Sequence, residues 1–252
     1  MFHEIDPKTA VQSFTYLQKK YNIITLDNFI NACKTKDNTN IPKKALIITF
    51  DDGLVSNYKL LPIIKKYNIP VTLFLCASII NTSRHFWYKH KGLTQPLSAY
   101  KLMSNQKRLQ ALSKDGFIQD KEYDNFQALS KSQIIEMSEH FNMQAHTKFH
   151  PCLPMCDDEE AKEEILGSKQ MLENEYGFVI NAIAYPNGDY SDRDVKLTKE
   201  ADYSCAVTVD GGFNNINSDL FRLKRLSTND TGNLDELVVK SCGVWSFLRN
   251  KL

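Results

Sequence analysis

Two short clusters in this chain combine residue types that activate water. The first is Thr49-Phe50-Asp51-Asp52-Gly53, a pair of adjacent carboxylates at the end of the apolar run ALIITF at 45–50. Neighbouring side chains on a strand point in different directions, so one acid can hold a cation while the other accepts a proton. Taken alone, the same residues also describe an ordinary Asp-Gly turn after a strand. The second cluster is His146-Thr147-Lys148-Phe149-His150, two imidazoles four residues apart. Imidazole is a common ligand for zinc and related ions. Two histidines with one carboxylate form a catalytic ligand set that leaves positions for water and substrate. Asp52, His146 and His150 are therefore candidate ligands, and Asp51 is the candidate base. Such chemistry also needs stabilisation of an oxyanion and a proton donor for the leaving group. His3 is the candidate donor. His85, His90 and His140 stand in no motif and read as surface or packing residues.

The elements around these clusters alternate between strand and helix. Residues 7–20 predict an amphipathic helix through Val11, Phe14, Leu17 and Tyr21, and 26–33 a second short one with Asp27 as its cap. Polar residues 34–44 predict a loop. The strand at 45–50, a helix at 55–67 and the strand VTLFLCA at 71–77 make one βαβ unit. Residues 81–128 are irregular and read as an insertion, either a lid or substrate rim or simple filler. A helix at 130–141, a strand at 142–147 and a helix at 157–176 follow. Then come a strand at 180–185, a helix at 192–201, strands near 203–208 and 221–227, and a helix at 234–240. The alternation predicts an α/β fold with a parallel sheet, and an irregular barrel fits better than an open sheet.

The chain has 252 residues, 42% of them hydrophobic, with 31 lysines and arginines against 30 acids. That is enough to build one domain over 1–252, and the balanced charge gives no reason to expect nucleic acid or an anionic membrane as partner. No run approaches the roughly 18 apolar residues of a membrane span. The opening MFHEIDPKTAVQSF has no apolar stretch of the kind that directs export, so a cytoplasmic setting is expected, or an extracytoplasmic one if a leader was removed. The six scattered cysteines are expected to be free thiols.

These residues resemble the polysaccharide deacetylase family, also called the NodB-homology family. Residues 49–53 match its signature T-F-D-D-G at every position, and 146–150 match its H-[ST]-x-x-H. INAIAYPNG at 180–188 is similar to its third signature in the form F-A-Y-P-x-G. The resemblance covers most of residues 1–228. It implies an irregular (β/α)7-type barrel and one divalent ion held by Asp52, His146 and His150. The ion is usually zinc, with nickel, cobalt or iron as alternatives. Asp51 is the implied general base, and the Tyr185 backbone N–H, beside Pro186, the implied oxyanion donor. The implied reaction removes N-acetyl groups from amino sugars of a surface polysaccharide, a glycolipid or their precursor. A deformylase or amidase acting on another acyl group, and a non-catalytic glycan-binding relative, are the competing readings.

The departures from the family pattern matter. Many members carry an arginine at the position of Ala184 to orient the base, so here that role must move or vanish; Arg222 and Arg225 are the candidates to supply it, Arg225 resembling an arginine after the last strand in the F-A-Y-P-x-G subgroup, with a surface salt bridge as the alternative. A C-terminal Leu-x-His, whose histidine is the general acid, is missing, because no histidine follows His150. Phe2-His3 resembles the start of the poly-N-acetylglucosamine deacetylase branch, in which the barrel is circularly permuted and an N-terminal histidine serves as the acid. His3 takes that role by resemblance. Trp87, Tyr88 and Tyr190 are available to stack on sugar faces, with core packing as the alternative.

Overall fold

The computed structural model describes residues 1–228 and 231–249. In chain order the first elements are α1 (Pro7–Lys20), β1 (Asn22–Ile23), α2 (Leu26–Thr35), β2 (Ala45–Leu46) and β3 (Ile48–Phe50). A 3₁₀ turn leads into α3 (Leu61–Tyr67) and β4 (Val71–Leu75), and the insertion carries α4 (Leu97–Lys101) and α5 (Asn105–Lys114). Then come α6 (Lys131–Ser138), β5 (Phe141–Ala145), α7 (Asp158–Lys162), a π-helical segment Glu163–Gly167 and α8 (Ser168–Tyr176). The chain ends with β6 (Ala182–Ala184), α9 (Asp192–Glu200), β7 (Cys205–Val207), α10 (Leu234–Ser241) and α11 (Val244–Arg249).

Local chemistry explains most of these boundaries. Asp6 caps α1 by accepting from Lys8 N and Thr9 N, and Pro7 occupies the first turn, where its missing N–H is no loss. Thr25 rather than Asp27 caps α2. Asp27 instead accepts from the side chains of Asn142 and Asn181, tying α2 to the starts of β5 and β6. The expected strand at 45–50 divides in two. Ala45 and Leu46 pair with β1, and Ile48–Phe50 joins the main sheet.

That main sheet is parallel, in the order β3-β4-β5-β6-β7. Two further segments extend it into a ring. Leu223 bridges Val207 in parallel, with Thr208 N donating to Leu223 O at 2.9 Å. On the other edge Phe2 bridges Phe50 in parallel, with Phe2 N donating to Thr49 O at 2.9 Å. These two segments then meet each other, as Met1 N donates to Leu226 O at 3.0 Å and Thr228 N to Met1 O at 3.1 Å. Counting both segments as staves gives the seven expected of the barrel, and His3 follows directly on the first of them.

Alternation along the strands sorts the core into two layers. Ile48, Phe50, Leu73, Leu75, Ile183 and Tyr185 face outward and pack with the helices, among them Ala10, Phe14 and Leu17 of α1. Phe74, Ala182, Ala184, Cys205 and Val207 form a separate inner cluster with Leu26, Phe29, Ile30 and Cys33, so α2 fills the ring from the N-terminal ends of the strands. The insertion has its own small core of Trp87, Tyr100, Leu112 and Phe117. All six cysteines are free. No helix among the described residues is long and apolar enough to cross a membrane.

The first stave is a built element and not a loose terminus. Phe2 is 2% exposed, stacks on Phe50 at 5.3 Å between ring centroids and meets Phe14 edge-on at 6.0 Å. Truncating a buried aromatic of this kind costs about 3–5 kcal/mol. Phe2→Ala is therefore expected to lower unfolding free energy by that amount in urea titrations, whereas a loose N-terminus would leave the midpoint unchanged.

Candidate active site

The site is assembled at the C-terminal ends of the strands, where barrel enzymes place their chemistry. Asp51 continues the inward register of Thr49. Its carboxylate receives Arg225 in bidentate fashion, Nη1 to Oδ1 and Nη2 to Oδ2, each at 2.7 Å. Arg225 also donates from Nη1 to Thr49 Oγ1 at 3.2 Å and from Nε to Thr208 O at 2.7 Å. Its guanidinium lies 5.9 Å from the ring centre of Phe74. Both partners are buried, at 3% and 6% side-chain exposure. Burial alone would raise the Asp51 pKa, but the charge and hydrogen bonds of Arg225 outweigh it and hold the acid at about 2. Of the two candidate arginines, Arg225 is the one that reaches Asp51. Arg222 pairs with Asp192 and Asp219 at the surface.

The chain turns sharply after Asp51. Asp52 and Gly53 both adopt left-handed backbone, with φ of 77° and 76°. This redirects Asp52 away from Asp51 despite their adjacency. Glycine suits position 53, where the left-handed φ strains a larger residue and an added Cβ would press on Leu75 Cδ2 at 2.7 Å. Asp52 Oδ1 stands 3.4 Å from His146 Nε2 and 3.5 Å from His150 Nε2.

The two histidines are held by a loop with its own supports. His146 N donates to Leu75 O, extending the β4–β5 ladder, and His146 Nδ1 lies 2.7 Å from Ala184 O. A carbonyl acceptor at Nδ1 leaves Nε2 free to face a ligand. Thr147 and His150 are left-handed, with φ of 63° and 57°. Between them, Lys148 N and Phe149 N both donate to Glu164 Oε2, at 2.8 and 2.9 Å. Glu164 lies in the π-helical segment, whose widened turn carries this buried acid under the loop. Burial raises its pKa to about 7. The insertion contributes Trp87, whose Nε1 donates to His150 O at 2.9 Å.

Asp52, His146 and His150 form a candidate metal centre, all three buried, with ligand atoms within 4.8 Å of one another. Ligand arms of about 2.0–2.2 Å at tetrahedral angles place donors roughly 3.4 Å apart, matching the spacing around Asp52. Asp52 Oδ1 is buried with no hydrogen-bond partner, as expected of an oxygen reserved for a cation. Burial would raise the Asp52 pKa, but the two histidines hold it well below the usual range. Burial lowers His150 to about 3, leaving the neutral ring a metal requires. For His146, burial is outweighed by Asp52 and Asp51, which raise its pKa.

His3 joins this group from the first stave. Asn57 Nδ2 donates to His3 O at 2.8 Å, and His3 lies within electrostatic reach of Asp51, Asp52 and His150. Tyr185 N donates to Val207 O at 3.1 Å within the sheet, and the fully buried side chain faces the helices, reaching Thr198 Oγ1 and Phe221 O. Pro186 is buried beside it and has no N–H to offer. Trp87, at 4% exposure, belongs to the core of the insertion, so it has no free face for a sugar. Glu164 and Thr208 were not singled out as site residues in the sequence, since no motif marks them.

The chain belongs to the polysaccharide deacetylase family, whose model matches residues 38–206. A curated relative, YxkH of Bacillus subtilis (strain 168), a polysaccharide deacetylase by name, is 23% identical over 185 residues, 73% of this chain. The chain spans about half of that relative, 51% of its length. Among solved structures, the Streptococcus pyogenes deacetylase PplD in complex with acetate aligns with a TM-score of 0.69 at 20% identity, over 94% of this chain and 87% of that one. IcaB from Ammonifex degensii aligns with a TM-score of 0.69 at 18% identity, over 95% and 94%. These structural likenesses establish the shared barrel.

The Asp51–Arg225 pair has a pH signature. The Asp51 pKa is depressed below the unfolded value of about 3.9, so the pair contributes stability that is present above about pH 4 and lost as pH falls toward 2. Without Arg225, burial alone would raise that pKa, and ionising Asp51 would then oppose folding. Arg225→Met is expected to destabilise the metal-free protein by about 3–5 kcal/mol at pH 7. The deficit should shrink as pH is lowered toward 3 in thermal or urea unfolding; a constant deficit would contradict the pairing.

Proposed function

We propose that this chain is a metal-dependent hydrolase that removes N-acetyl groups from amino sugars of a surface polysaccharide, a glycolipid or their precursor. The observation that carries the reading is the buried Asp51 beside a three-residue cation site, ionised and clamped in one orientation by Arg225. A glycan-binding module needs no such base. When bound, a divalent ion, zinc by its donor set, polarises the acyl oxygen and makes water a better nucleophile at neutral pH.

The chain's own residues divide the remaining work. Asp51 accepts the proton of the attacking water, and Arg225 holds the carboxylate so that its basic lone pair is aimed at that proton. His3, partly exposed at the site's edge, donates a proton to the departing amine as the C–N bond breaks, leaving acetate and a free amino sugar. Membership of the family supports an acetylated glycan as the substrate class.

The test is acetate release from N-acetylated amino-sugar oligomers and from nucleotide- and lipid-linked sugars, using protein stripped of metal and reloaded with zinc, cobalt or nickel. Activity should return with metal. Asp51→Asn should lower kcat by about 10²–10⁴-fold with metal content unchanged. His3→Ala should lower kcat by about 10²-fold with metal content unchanged. Full activity in His3→Ala would remove that residue from the mechanism. Metal-loaded protein that releases no acetate from any substrate would turn the search to another acyl group.

A further inference from the structure

A cavity of about 400 Å³ opens in the barrel wall, apart from the cation site. It lies where the sheet parts: Ala45, Leu46 and Ile47 line it at the point where β2 leaves the main sheet for β1. Ile24, Phe29 of α2, Val207 of β7, Ile216 and Leu223 complete its apolar walls. Buried Thr49 and Arg225 mark its inner end, and exposed Lys224 marks its mouth. Asp51, Asp52, His146 and His150 do not line it, so its occupant is not the group hydrolysed at the cation site.

Protein interiors are packed like organic crystals, and a void leaves the atoms around it short of contacts. Ile47 and Ile216 pack on the inner cluster yet are only partly buried, so apolar surface that the core could have covered faces the cavity instead. A hole with such walls takes an apolar occupant in preference to water. A dry cavity of roughly 150 Å³ accepts the six carbons of benzene, so this one has room for a single chain of roughly ten to sixteen carbons, and not for two.

The charges around the cavity have one sign. Among the described residues that line it none is acidic, whereas Met1, Lys224 and Arg225 bring cations. Met1 N is committed to Leu226 O and Arg225 to Asp51. That leaves Lys224 for a ligand. Its backbone is held by the Asn214 side chain, and its ammonium enters no ion pair among the described residues.

We propose that this cavity binds one unbranched fatty-acid chain, its carboxylate at Lys224 and its tail against Thr49 and Arg225. The site goes beyond the deacetylase reading and does not rest on it. Because Thr49 and Arg225 also hold the Asp51 arrangement, the bound tail abuts the clamp of that carboxylate from behind.

Titration calorimetry of octanoate, decanoate and dodecanoate into the full chain, each below its micellar concentration, tests the assignment without any turnover. Binding should saturate at one equivalent and tighten about three- to fourfold for each added methylene. Ile216→Trp puts a large ring into the cavity from a partly buried position. It should keep the parent's melting temperature and weaken decanoate by more than about tenfold. Lys224→Met changes only an exposed side chain and leaves the walls intact. It should weaken decanoate about two- to fivefold and leave decanol unchanged. Several results would overturn the proposal: a parent that binds none of the three acids, affinity that does not depend on chain length, a folded Ile216→Trp that binds as the parent does, or a Lys224→Met variant that treats decanoate and decanol alike.

Discussion

The bidentate contact between Arg225 and Asp51, closed inside the barrel, is the interaction on which the rest of this structure depends. Two charges taken out of water are tolerated only when their geometry is good and their remaining polar atoms are satisfied. Thr49 Oγ1 and Thr208 O meet those needs here. The pair also links distant parts of the chain, since Asp51 follows β3 and Arg225 follows the segment that bridges β7. The guanidinium can reach the acid only if that segment stands in the ring, and Met1 and Phe2 fill the space between the two. Closing the barrel and orienting the Asp51 carboxylate are therefore one event.

The cation site makes the complementary demand, for backbone shapes that most residues avoid. Asp52, Thr147 and His150 are all left-handed. Such conformations persist where surrounding contacts over-determine them. Three contacts do so here: the Glu164 carboxylate under the loop, the Thr147 hydroxyl that accepts from His150 N, and the Trp87 indole bonded to His150 O. The insertion is thus a buttress of the metal loop. Its buried aromatic cluster and the two short helices it carries are what keep Trp87 and Tyr88 in place.

The sequence by itself determined what is local. Asp51 and Asp52 are adjacent, His146 and His150 are four apart, and each pair follows an expected strand, so the candidate ligand set, the candidate base and the parallel α/β class could be read from types and spacing. The helix at Pro7–Lys20 could be read as well, because its cap, its proline and its apolar stripe all lie within one segment. Tertiary structure alone decided the rest. Arg222 and Arg225 stand three residues apart in one segment, yet strand alternation and ring closure send one to surface carboxylates and the other to Asp51. Tyr185 lies in a recognisable motif, but its register turns the side chain toward the helices and commits its N–H to the sheet. His3, at a position where chains usually fray, is brought to the site because Phe2 is buried against Phe50. Glu164 has no neighbouring signal at all. A side chain's partner across the barrel depends on which strands meet and which face it occupies, and no local pattern of residues carries that information.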